Sequence, residues 1–142
     1  MRFWQRSAIS ILALLALLIA APGLFYVIGL SKVHGRPTPA DPALFSRNEI
    51  AAAWAQCHEK IPIAAAATNP WSVAGNLLFG SPDHAPPGER ASWRIAGAHN
   101  AASHLQSNTA WHISGSALTI WITRHWSADQ IGATIARDRL CK

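Results

Sequence analysis

Along the chain, apolar residues form one unbroken block and then several periodic stretches. No charged residue occurs over 7–30, and 9–21 is almost purely Ile, Leu and Ala. A helix needs about 20 such residues to cross the hydrocarbon core, so 7–30 predicts a transmembrane helix. Pro22 and Gly23 would allow a kink, which membrane helices tolerate. The apolar run is longer than the roughly 7–15 residues of a signal peptide, and Pro22 after Ala20 and Ala21 suits cleavage poorly. The segment is therefore read as an uncleaved signal anchor.

Beyond it, 111–139 has the strongest helical pattern and holds three of the seven tryptophans. Apolar or small residues recur at Ile113, Ala117, Ile120 and Trp121, and again at Leu118 and Ile122. Such a helix is covered on much of its circumference. Ser127-Ala128-Asp129-Gln130 then reads as a capping box, the Ser127 hydroxyl capping and Gln130 reaching back. The helix it opens has Ala128, Ile131 and Ile135 inside, and Arg137, Arg139 and Lys142 near its negative end. Upstream, Ser46-Arg47-Asn48-Glu49 has the same form and launches a helix through Ile50, Ala53, Trp54 and Cys57, stopped by Pro62. Asn69-Pro70 caps and starts a helix to Phe79. The segment 80–88 is a loop by composition. A helix over 89–105 would place Trp93, Ala96, Ala102 and Leu105 in the core, weakened by Gly97. No stretch alternates as a strand does, so the fold class is mainly α.

The organisation that follows is a head at 1–6, a span at 7–30, a Pro/Gly-rich linker at 31–45 and a body of about five helices at 46–142. The linker reads as an extended tether lifting the body off the bilayer. The body of 97 residues holds one small core. Arg2 and Arg6 before the span are matched by Lys32 and Arg36 after it, so charge alone does not orient it. The short head most simply stays in the cytoplasm, leaving the body outside. Twelve Lys and Arg against seven Asp and Glu give +5. That balance suits a protein beside anionic lipid, the bilayer being its first partner, and no basic-aromatic motif points to nucleic acid.

Candidate chemistry is sparse. Cys57 and Cys141 are the only cysteines. In an exported body they can pair, closing a loop of about 85 residues and stabilising by roughly 4 kcal/mol in the chain-entropy model; two isolated thiols are the alternative. The seven histidines, including the adjacent Cys57-His58 and the run His99, His104, His112, match no zinc spacing. No metal and no cofactor is expected. No nucleophile motif is present. Arg90 and Arg94 lie one helical turn apart and could bracket a phosphate; a solvated helix face is the other reading.

At 121–131, WITRHWSADQI, the chain resembles the peptidoglycan glycosyltransferases, the family 51 transglycosylase domain of penicillin-binding proteins. In that family a helix runs into a Ser-Lys-Asp/Glu-x-Ile-Leu segment, which Ser127-Ala128-Asp129-Gln130-Ile131 is similar to. Two further segments occur in the same order. Gly88-Glu89-Arg90-Ala91-Ser92-Trp93-Arg94-Ile95-Ala96 falls where the family has Gly-Ser-Thr-Ile-Thr-Gln-Gln-Leu-Ala, and 50–78 is similar to its first conserved region. The likeness spans 48–136 and implies a lysozyme-like transglycosylase fold behind a single anchor in a bacterial inner membrane, with the body in the periplasm.

The family's catalytic motif, Glu-Asp-x-x-Phe-x-x-His-x-Gly, deprotonates the acceptor hydroxyl of lipid II with its glutamate. General-base chemistry needs a carboxylate there. Here the matching position is His58, and Glu59 serves only if the loop shifts by one residue. The family's second acid falls near Gly115, and Thr123 also stands where an acid would. The chain ends at Lys142, where the family continues. The resemblance therefore implies a truncated or degenerate, catalytically inactive relative with an accessory or regulatory role in cell-wall assembly, meeting lipid II or a cell-wall synthase. The alternatives are a divergent glycosyltransferase with Glu59 as base and Arg90, Trp93 and Arg94 holding the pyrophosphate, and a structural subunit of an inner-membrane complex. The oligomeric state is left open.

Overall fold

The computed structural model describes residues 2–59, 65–79, 85–103 and 107–141. The expected stop at Pro62, the core contact at Leu105, His104, Lys142 and most of the 80–88 loop lie outside the described residues. All regular structure among the described residues is helical: α1 (Arg2–Ser31), a 3-10 turn (Pro42–Leu44), α2 (Arg47–Gln56), α3 (Pro70–Phe79), α4 (Glu89–Ala102), α5 (Asn108–His125) and α6 (Ala128–Asp138).

Within α1, Ser7–Ser31 is long and apolar enough to cross a membrane. Through 8–20 its side chains are exposed all round, and the helix continues unbroken through Pro22. From there one stripe turns inward, with Pro22 and Gly29 buried and Tyr26, Leu30 and Val33 half-buried, while Leu24, Phe25, Val27 and Ile28 stay exposed. The stripe follows the helical repeat and faces α5. Gly29 sits where α1 and α5 touch. A Cβ there would lie 2.6 Å from both the Ala117 Cβ and the Ile113 carbonyl oxygen, so only glycine permits this approach.

α5 is the central helix. Ser114 to Ile120, Ile122 and Thr123 are all buried, with α1, α3 and α4 packed around it. Its buried hydroxyls are satisfied within the helix. Ser114 donates to the Ala110 carbonyl at 2.7 Å, Ser116 to His112 at 2.8 Å, Thr119 to Gly115 at 2.9 Å and Thr123 to Thr119 at 3.1 Å. On the other side α2 packs on α6. Trp54 is fully buried there over Gly132, where a Cβ would come within 2.7 Å of the Trp54 indole nitrogen and of Ile50.

The helix starts are local chemistry. Both capping boxes form, Ser46 with Glu49 and Ser127 with Gln130. Asn69 Oδ1 accepts from the Ser72 amide at 2.8 Å. The linker, expected as an extended tether, is extended but not detached. Its backbone carries no regular structure over 36–41, but it lies along α6: the Ala40 amide donates to Thr134 Oγ1 at 2.9 Å, and Arg137 donates to the Thr38 carbonyl at 3.4 Å. Prolines 37, 39 and 42 keep this strip from making its own helical bonds, so the buried Ala40 N–H finds a side chain instead. With α1 seated on α5, the body packs directly against the last third of α1.

Two outcomes follow. Gly29→Ala should destabilise the full chain in detergent by about 1–3 kcal/mol through overpacking, whereas Gly23→Ala, with nothing within 4 Å of its added Cβ, should be neutral or mildly stabilising; thermal melts distinguish them. The second concerns acid. Hydrogen bonds from the Ser46 backbone amide and then its hydroxyl hold the Glu49 carboxyl below its ordinary 4.5. Its contribution is therefore full above about pH 4.5 and fades as the pH falls through the lower folded value. The penalty of Ser46→Ala should shrink in acid, while that of Ser127→Ala, about 1 kcal/mol, should not change with pH, because its partner Gln130 does not titrate.

Candidate functional site

The three residues that end α2 each take a different structural role. Cys57 is disulfide-bonded to Cys141, their Cα atoms 5.1 Å apart. His58 adopts the left-handed conformation at φ 57. Its amide reaches the Ala55 carbonyl at 3.0 Å and the Glu59 amide reaches Trp54 at 3.2 Å. This is the paired bonding of a Schellman termination, with histidine where glycine is usual. The reversal sends Glu59 towards the start of α4. Its Oε2 accepts from the Gly88 amide and its Oε1 from the Ala91 amide, both at 2.8 Å. Gly88, at φ 89, supplies no side-chain cap of its own. Glu59 is thus a remote anionic cap on α4, placed where unpaired N–H groups and the positive end of the dipole favour a carboxylate.

Catalysis by Glu59 would need that carboxylate free to take a proton from substrate; here both oxygens hold backbone amides. Arg90 and Arg94 follow on α4, Arg90 half-buried and Arg94 exposed. Trp93 packs inward, edge-on to Trp111 at 5.8 Å and stacked on His112 at 6.3 Å between ring centres. Gly115 and Thr123 are packing positions. A Cβ on Gly115 would meet the Trp93 ring at 3.5 Å, and Thr123 Oγ1 accepts from the Thr68 amide at 3.1 Å. Among the described residues no three His, Cys, Asp or Glu side chains gather as a metal site would require.

The cavity with a definite chemical character lies elsewhere. A part-open crevice of about 240 Å³ runs between α1, α3 and α5, walled by Pro22, Phe25 and Tyr26, by Val73, and by Ile113 and Ile120. Its walls are almost entirely carbon, which suits an apolar chain. At its edge the Arg124 guanidinium sits 5.9 Å from the Tyr26 ring centre, oriented by a 3.1 Å bond from Nε to the Thr68 carbonyl. Trp71, beside the crevice residue Pro70, is 53% exposed. A second crevice, between the turn at Phe45, α2 and the Cys141 tail, has mixed walls that include Glu49 and Arg139. Neither crevice is lined by Glu59, Arg90, Trp93 or Arg94.

Sequence reasoning did not single out Arg124, Tyr26 or the crevice. No sequence signal marked them, because 22–30 is apolar all round and only the fold shows which side is covered. The chain matches no protein-family model, no curated protein and no solved structure. The transglycosylase likeness therefore rests on the sequence segments quoted above.

Glu59→Ala strips two amides of a charged acceptor and should cost about 1.5–3 kcal/mol. Amide hydrogen exchange should rise at Gly88 and Ala91 first, while Arg94→Ala on the same helix leaves exchange there unchanged.

Proposed function

We propose that this chain is a non-catalytic, single-pass protein of the bacterial inner membrane whose body stands on the periplasmic face and serves cell-wall assembly as an accessory or regulatory subunit. The observation that carries the non-catalytic part is the engagement of both Glu59 oxygens by the amides of α4. The Cys57–Cys141 bond supports the orientation, because such bonds persist in oxidising compartments. The link to the cell wall, with lipid II or a synthase as partner, rests on the resemblance over 48–136.

A structural subunit of an inner-membrane complex is the second reading, favoured by the exposed Trp71 ring beside an apolar crevice. A divergent glycosyltransferase would require Glu59 to leave its cap.

The full chain in detergent, incubated with lipid II, is expected to bind it without forming glycan strands. Polymer that disappears in Glu59→Gln would overturn the non-catalytic reading, and no binding at all would favour the structural one. A phosphatase reporter fused at the C-terminus is expected to be active; an inactive fusion of a full-length, stable product would place the body in the cytoplasm and remove the cell-wall role.

A further inference from the structure

The geometry points to a lipid site: the crevice between α1, α3 and α5 holds one acyl chain of an anionic bilayer phospholipid, with Arg124 at its headgroup. The inference rests on α1 crossing the membrane. Counting about 1.5 Å per residue from Ser7, Pro22 stands roughly 22 Å and Tyr26 roughly 28 Å into a hydrocarbon layer about 30 Å thick. Leu24, Phe25, Val27 and Ile28 at the same level are 47–63% exposed, an apolar surface that lipid covers. The crevice opens beside these residues and shares Phe25 with them, so it is continuous with the lipid-facing surface of the span. What reaches it first is the tail of a neighbouring lipid.

Headgroup chemistry follows from what stands at the end of the span. Tyr26 is the only tyrosine of the chain, near the depth where tyrosine and tryptophan favour the interface. The exposed Arg124 guanidinium lies by its ring, and Lys32 and Arg36, also exposed, follow directly after the helix. A fork of N–H donors at that level suits a phosphate diester, and the cationic surroundings favour a headgroup with net negative charge. Trp71, at the start of α3, sits beside the same opening and would lie among the headgroups.

The test uses the full chain in phosphatidylcholine vesicles containing phosphatidylglycerol with a photoactivatable diazirine halfway along one acyl chain. After irradiation, labelled peptides are mapped by mass spectrometry. Label is expected at 70–74 and 113–120 in addition to the bare part of the span at 7–21. Ala74 is half-buried and lines the crevice, so Ala74→Phe should fill it and reduce crevice label roughly tenfold, the factor expected from un-burying about two methylenes, with label at 7–21 unchanged. A second variant does not touch the crevice wall: with the same photoprobe on phosphatidylcholine for comparison, Arg124→Gln should abolish the preference of crevice label for phosphatidylglycerol. Label confined to 7–21 would overturn the lipid site while leaving the span intact. Loss of label from 7–21 as well would overturn the membrane reading beneath it. Cross-linking of 70–74 to a second copy of the chain, in place of lipid, would also overturn the proposal.

Discussion

From Ser114 to Thr123 every residue of α5 except the half-buried Trp121 is buried, and that burial sets the terms for the rest of the molecule. A helix covered on all sides cannot leave a hydroxyl unpartnered without a penalty of about 1–3 kcal/mol for each. The serines and threonines of α5 meet this by bonding back to their own helix, as such residues do in membrane helices. Being short, they also leave room for neighbouring backbones. The close approach of Gly29 and the fit of the Trp93 ring over Gly115 are two results of that economy of side-chain bulk.

A second constraint sits at residues 57–59. One turn of chain fixes α2 to the C-terminal tail through the disulfide, reverses direction at His58 and caps α4 with Glu59. Two helix ends and a tail far apart in sequence are fixed relative to one another by three consecutive residues, two through their side chains and His58 through its backbone. A carboxylate in such a position is chemically occupied. This is why its presence near the resemblance's catalytic position carries architectural rather than catalytic meaning in the proposed reading.

What the sequence made legible is what local chemistry decides. The Ser46–Glu49 and Ser127–Gln130 boxes, the Asn69 cap, the burial of α5 and a helix over 7–31 long and apolar enough to cross a membrane are each written in a continuous stretch of chain, and each is present. What it concealed depends on partners distant in the chain. Glu59 meets the Gly88 amide 29 residues on, and the linker's Ala40 meets Thr134 after 94. Gly29 reads as one more small residue in an apolar run until Ala117 comes to lie against it. Trp93, read as a core contact and a candidate for substrate, is placed by Trp111 and His112. The crevice was illegible for the same reason, since three helices far apart in sequence supply its walls.

The seam between α1 and α5 also bears on the order of events during synthesis. Its two halves emerge at opposite ends of translation. The stripe from Pro22 to Leu30 is made long before α5, and Gly29 has no seat until Ile113 and Ala117 arrive. Cys141 comes later still, so the bond to Cys57 can form only after α3, α4, α5 and α6 have been made. The seam itself therefore cannot close until most of the chain has been made, and one side of α1 is kept for a partner that arrives last.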